Sequence, residues 1–368
     1  MPSYPDRLSL LIGGRRYWGW KTARVSCGID RCVSDFRFEV SERWMGQGIP
    51  WKILPYADCQ VLIDDEAILT GYVEDYTPRI GPLEHGTEIS GKSKTGDLIE
   101  CTPEIDGGQF RGYSLAAIAR AVCALFGIDV VVEASGASQT FDTVQIERCE
   151  TAFTFLERLG RLSGVLLTDD PLGRLVLTTA GTVQATGSLV EGVNIQSASA
   201  RLSSRGRFSH YIVKGQAGLS GGATSVQTGL RAEAVDSDVP RFRPKVVMAE
   251  SQLSLLQMQQ RANWLKQSAF GRATEADITV AGWRQADGTL WTRNRLVTVL
   301  SPTLGVSADL LIARAEFAIT AQAGKVTTLH VGPVQAYTPD PGAVRLRKHR
   351  GHGHGGRGGC PSWDGAGE

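Results

Sequence analysis

The sequence is short of long apolar runs, of closely spaced cysteines and of charge of one sign. No run approaches the ~18 apolar residues that a membrane-crossing helix needs. The longest candidate, LAAIARAVCALF from Leu115 to Phe126, is shorter and contains Arg120. The opening MPSYPDRLSLLIGGRR has only a brief apolar stretch before its arginines, without the long h-region and cleavage site of a signal peptide. Neither a leader nor a membrane anchor is therefore expected. The seven cysteines, at 27, 32, 59, 101, 123, 149 and 360, are odd in number and contain no C-x-x-C pair. That excludes a zinc ribbon or a disulfide framework, and reduced, mostly buried thiols are expected. Lys and Arg total 39 against 38 Asp and Glu, so no strong field draws nucleic acid or an acidic membrane.

Catalytic constellations are equally sparse. G-x-S-x-G is absent, and with it the nucleophile elbow of a serine hydrolase. Of six histidines, His349, His352 and His354 fall near the C-terminus; His85, His210 and His330 stand apart on strand-like segments. A lone histidine there is a core or surface residue. The paired acids Asp169 and Asp170 sit in a turn and are expected to be solvated.

What the sequence has in plenty is glycine, 43 residues, together with 42% hydrophobic residues. Strands joined by tight turns follow from that mixture. Leu8–Ile12 turns at Gly13-Gly14 into Arg15–Trp20, and Phe36–Val40 alternates as F-R-F-E-V. Cys59–Ile63 and Ala67–Tyr72 flank the polar turn Asp64-Asp65-Glu66, and His85–Gly91 is a further strand. Past Cys101 the period changes. Ser114 and Thr151 are N-caps of two helices, closed by Gly127 and Gly164. IDVVVE is a strand, and VLLTDDPLGRLVLTT a hairpin turning at Asp170–Gly173. A second β-rich part follows, with strands at Arg207–Gly215, Ala276–Trp283, Leu290–Leu300, Leu310–Thr320 and Val326–Pro333. It includes one amphipathic helix over 251–269 with Leu255, Met258, Ala262 and Leu265 on one stripe, and a loose glycine-rich loop over 217–228. The fold class is α+β and β-rich. It comprises a first small antiparallel barrel over 1–100, an inserted helix–strand–helix–hairpin module over 101–182, a second barrel over 183–340, and a disordered Gly/His/Arg-rich tail over 341–368. His349, His352, His354 and Cys360 lie in that tail, where no stable metal site is expected.

One motif argues for an enzyme. Gly86–Ser93 reads GTEISGKS and fits G-x-x-x-x-G-K-[ST], the phosphate loop of nucleotide hydrolases. That loop must join a buried parallel strand to a helix. Here Thr87–Ser90 alternates like a strand, and Gly96 and Pro103 leave no room for an amphipathic helix afterwards. The motif is better explained as a strand ending in a turn with Lys92 and Lys94 solvated. A tail-associated enzyme, either an NTPase through Gly86–Ser93 or a cell-wall hydrolase, and a β-rich adhesion module are the alternatives to a structural role.

Several stretches, in order, resemble one family. LSLLIGGRRYWGWKTARVSCGID matches its V-x-G-x-x-Y-x-G-W hairpin, VLIDDEAILTGYVEDY its TGY-V-D end, and HGTEISGKSKTGDLIECT its V-x-G-[RK]-S-x-x-D-L-[IV]-[DE]-C segment. LVEGVNIQSASARLSSRGRFSHYIVKGQ and RANWLKQSAFGRATEADITVAGWRQADGTLWTRN match two later regions, the second ending in W-x-x-N. The sequence resembles the baseplate hub proteins of Mu-like contractile-tail phages over nearly all of residues 5–340. The resemblance implies a homotrimeric ring of six barrels that joins a threefold spike to a sixfold tail tube, with DNA passing through the lumen unbound. It implies partners among the spike, the tube or its initiator and other baseplate proteins. The location would be the virion, after synthesis in the host bacterial cytoplasm. No catalytic, cofactor-binding or metal-binding residue carries over. Trp18, Trp20, Trp44, Trp51, Trp283 and Trp291 are candidates for barrel cores or subunit faces.

Overall fold

The computed structural model describes residues 6–40, 53–80, 85–215, 230–249 and 254–340. Trp44, Trp51, the 217–228 loop and the 341–368 tail with His349, His352, His354 and Cys360 lie outside them, as does the side chain of His85. The first part contains β1 (Leu8–Ile12), β2 (Arg15–Tyr17), β3 (Thr22–Gly28), β4 (Asp35–Val40), β5 (Asp58–Ile63), β6 (Glu66–Ile80) and β7 (His85–Ser93). The middle contains α1 (Gly96–Glu100), β8 (Gln109–Phe110), β9 (Tyr113–Ser114), α2 (Leu115–Ala124), β10 (Val130–Val132), β11 (Thr140–Phe141), β12 (Val144–Gln145), α3 (Ala152–Ser163), β13 (Leu166–Asp169) and β14 (Leu175–Thr178). The last part contains β15 (Leu189–Val190), β16 (Ile195–Leu202), β17 (His210–Lys214), β18 (Arg231–Val235), β19 (Pro244–Met248), α4 (Leu255–Arg272), β20 (Thr274–Ala281), β21 (Leu296–Ser301), β22 (Val306–Thr320) and β23 (Gly324–Gly332).

Two separate closed barrels were expected; one continuous ladder is found instead. Thirteen strands form a single sheet whose main path runs β16-β20-β23-β22-β3-β4-β7-β6-β5-β1-β2, and this path does not close on itself. The reason is the length of β22. Along one side it pairs with β23; along the other, Val306–Leu311 pairs with β21 and Arg314–Ile319 pairs with β3. A strand too long for its own neighbours offers the rest of its edge to the first part of the chain. The hydrophobic core follows the ladder: Leu8, Val25, Phe36, Phe38, Ile63 and Ile89 belong to one cluster with Ile278, Trp283, Trp291, Val297 and Leu329. Trp20, Trp283 and Trp291 are buried there, whereas Trp18 is only half-buried with the Arg7 guanidinium over its ring.

The middle part has its own core of Leu98, Leu115, Ile118, Val122, Phe155, Leu156, Leu159 and Leu177. Its helices begin where the sequence marks them. The Ser114 hydroxyl accepts from the Ala117 amide and the Thr151 hydroxyl from the Thr154 amide, and Gly164 closes α3 in the left-handed region at φ 66°. β10 lies parallel to β14, which returns antiparallel to β13. No room for an amphipathic helix was expected between Gly96 and Pro103, and what stands there is a helix of a single turn, Gly96–Glu100, that buries Leu98. α4 starts at a capping box of Ser254 and Gln257 and packs Met258 and Ala262 against Tyr211, Val213 and Ala232 of a three-stranded sheet, β18-β17-β19. Leu255, placed by its period on that stripe, is exposed instead.

Gly86–Ser93 is strand β7, paired antiparallel with β4 on one side and β6 on the other. No loop exists there to wrap a phosphate. Its glycine serves close packing: a Cβ on Gly91 would sit 2.1 Å from the Tyr72 carbonyl oxygen and 2.7 Å from the Phe36 ring. Across the ladder, a Cβ on Gly71 would sit 1.8 Å from the Lys92 carbonyl oxygen. Gly91→Ala is expected to lower stability by about 1–3 kcal/mol through overpacking. Gly86→Ala, whose Cβ would meet nothing closer than 3.6 Å, is the matched control. Thermal melts of the two variants check this; equal melting points would refute the packing argument.

Candidate functional site at the junction and the open sheet edge

Three distant segments meet at one buried polar junction. The Asp169 side chain, at the end of β13, is 1% exposed, and that of Arg293, ahead of β21, is 11% exposed; their charges lie 2.8 Å apart. Asp169 also accepts from the Ser34 amide and from the Ser34 hydroxyl, both at 3.0 Å. Arg293 donates to the Ser34 hydroxyl and to the Asp169 carbonyl. The Ser34 amide further donates to the Ser93 hydroxyl, which lies 2.9 Å from the Thr95 hydroxyl, and Thr95 donates to the Cys32 carbonyl. Burial alone would lower the Arg293 pKa, but the Asp169 carboxylate and the other nearby negative groups outweigh it and raise it, so the guanidinium stays charged. Beside this network Ile29, Leu311 and Ala313 form a small apolar cluster with Leu166 and Tyr337 packed against it.

Two further contacts bind the same parts. Arg314 pairs with Asp30. Arg284 gathers Asp6 at 2.8 Å, Glu66 at 2.6 Å and Asp64 at 3.2 Å. The residue after Arg293 holds the incoming linker: Asn294 accepts from the Gly181 amide and donates to the Thr179 carbonyl. The W-x-x-N segment thus supplies a core side chain, a charged clamp and a linker clamp within four residues.

The other residues singled out in the sequence stay apart. Lys92 is not freely solvated; it pairs with Glu74 at 3.0 Å and Glu100 at 2.6 Å. Asp169 was expected to be a solvated turn acid and is instead the buried centre of the junction. Asp170 does shape the turn, accepting from the Leu172 and Arg174 amides. His210 contacts the adjacent Ser209 hydroxyl at 2.8 Å and His330 contacts Asp277 at 2.8 Å. Ser209 already accepts from the Arg243 amide, so it is braced rather than poised for attack. Cys27, Cys32, Cys59, Cys101 and Cys123 are free, and only Cys101 of these is exposed. Burial pushes the Cys59 and Cys123 thiols up to about 12, so both are protonated and unreactive at neutral pH.

The second feature is an edge. Among the described residues β16 pairs with β20 alone, and most of its eight residues, IQSASARL, are exposed. Its outer row of backbone donors and acceptors is a template for another strand. The opposite end of the path is the three-residue β2, too short to offer the same.

Three family descriptions match the chain in succession. They are the N-terminal domain of Mu phage baseplate assembly protein GpP-like over residues 7–93, the second domain of baseplate hub protein gp44-like over 95–179, and the fourth domain of Mu phage baseplate assembly protein GpP over 254–340. The chain is 28% identical over 361 residues to baseplate hub protein gp44 of Escherichia phage Mu, covering 95% of this chain and 94% of that protein. The crystal structure of the 43 kDa tail protein of prophage MuSo2 from Shewanella oneidensis superposes with a TM-score of 0.82 at 31% identity, covering 90% of this chain and 99% of that one. The tail protein from Neisseria meningitidis MC58 superposes with a TM-score of 0.77 at 22% identity over 92% and 99% of the two chains. The fold is that of phage tail proteins, β-rich with few helices. The chain belongs to the baseplate hub family of Mu-like phages.

Removing one partner of a buried pair leaves the other charge uncompensated. Asp169→Ala is expected to lose about 3–5 kcal/mol. Lys92→Ala, at a half-exposed ion-pair cluster, is expected to lose no more than about 1 kcal/mol. Denaturant titration of both variants tests the ranking. Brief alkylation of the native protein, read peptide by peptide, should modify Cys101 and spare Cys27, Cys32, Cys59 and Cys123.

Proposed function

We propose that three copies close into a ring that serves as the baseplate hub of a contractile phage tail or a tail-like particle, joining a threefold spike to the sixfold tail tube. The observation that carries this reading is the open edge of β16, on a sheet whose two halves are locked together by the β22–β3 ladder and the Asp169–Arg293 junction. A rigid body with a long edge left unpaired among its described residues is built to be completed by another chain. The name of the Mu relative, baseplate hub protein, and the family membership support the same reading.

Each chain then contributes two β-rich parts, over 1–100 and 183–340, flanking the module over 101–182, so that three chains present six. Spike, tube or tube initiator and neighbouring baseplate proteins are the partners, and DNA passes through the lumen without a specific site. The hub works by shape, without chemistry of its own, in the virion after synthesis in the host cytoplasm. Light scattering coupled to size exclusion tests the assembly: about 119 kDa is expected, three times the 39.6 kDa of one chain. Ser197→Lys with Ser199→Lys loads the exposed edge with charge, which blocks strand addition. That variant is expected to shift the mass toward 39.6 kDa with its melting point unchanged. A wild-type chain that stays monomeric even with its spike co-expressed would overturn the proposal.

A further inference from the structure

A cavity of about 490 Å³ lies where α4, the β18-β17-β19 sheet and the ends of β16 and β20 converge. Arg201, Arg205, Lys245 and Arg272 line it against a single carboxylate, Glu275. Four cations face one anion in a chain whose whole net charge is +1, so this excess is local. None of the four has an ion-pair partner among the described residues. The turn carrying Arg205 is held in place: Arg243 donates to the Ser204 and Arg205 carbonyls and stacks over the Phe208 ring.

The inner wall adds neutral donors. Ser268 lines the cavity at 4% exposure, and no partner for its side-chain hydroxyl is found among the described residues. Tyr211, 1% exposed, accepts from the Phe208 amide, and no acceptor for its own hydroxyl proton is found among the described residues. Both hydroxyls line a cavity rimmed with guanidinium groups. Such a site is rich in donors and poor in acceptors. Its complement is a compact group with several acceptor oxygens and more than one negative charge. Guanidinium forks match the oxygens of a phosphoryl group in pairs, and a carboxylate offers fewer oxygens and a single charge.

We infer that this cavity binds a phosphoryl group, presented by a small phosphate compound or by the phosphorylated end of a nucleic acid. The test is calorimetric titration of the full chain with inorganic pyrophosphate. Saturable binding is expected. It should weaken at least about tenfold in Arg201→Gln with Arg205→Gln, and severalfold in Ser268→Ala, with melting points unchanged. A 5′-phosphorylated oligonucleotide that displaces pyrophosphate, where its unphosphorylated twin does not, supports the site and identifies a nucleic-acid end as the source. Failure of both to displace it supports a small phosphate compound. No saturable heat with pyrophosphate overturns the inference, as does binding that the substitutions leave unchanged. Displacement by oligoglutamate as effective as by pyrophosphate overturns it too, since the cavity would then be a general basic surface.

Discussion

The Asp169–Arg293 pair is the contact on which the arrangement of the chain depends. Two charges removed from water are unfavourable unless each is matched by an opposite charge and by hydrogen bonds. Asp169 meets that requirement only if Ser34 and Arg293 are both present, and Ser34 is fixed only if Ser93 is paired to it. Those residues come from a loop after β3, the end of β7, the end of β13 and the segment before β21. A partial assembly leaves a buried charge exposed to no partner, so misdocked arrangements of the three parts are penalised more than a purely apolar junction would penalise them. The apolar cluster around Leu311 and Ala313 beside it supplies attraction without direction; the ion pair supplies direction.

Local chemistry made much of this fold readable. The caps at Ser114 and Thr151, the glycine at 164 and the alternation of Phe36–Val40 each act within a few residues, and each element stands where its signal lies. The elements that escaped notice are those whose stability is borrowed. β16 reads IQSASARL, whose alternation rests on two small alanines and Leu202, and is a strand because β20 lies beside it. The helix at Gly96–Glu100 exists because Leu98 fills the middle core. The union of the two β-rich parts was illegible for the same reason: nothing near Arg314 announces that its partner is Gly28.

The junction shows how thin the sequence signal for a buried acid is. Asp169 and Asp170 are adjacent and chemically identical, yet one is sealed and the other shapes an exposed turn. Only the tertiary neighbours of each distinguish them. Family signatures were a better guide than residue type, because they mark constraints rather than chemistry. The glycines of TGY and GKS sit where two strands pass too closely for a side chain, and W-x-x-N marks the junction. The phosphate-loop pattern within GTEISGKS arises from that packing demand.

The pairing of β22 with β3 also sets a timetable. Asp30 and Arg314 are 284 positions apart. At about 5–20 residues per second, a ribosome needs roughly 15–60 s to supply the second after the first. During that interval the early strands have emerged but their seam along β3 has no occupant, and an unfilled strand edge is prone to join the wrong chain. The nascent protein therefore passes through a period in which its first third is most vulnerable, and that period ends only when nearly the whole polypeptide has been made.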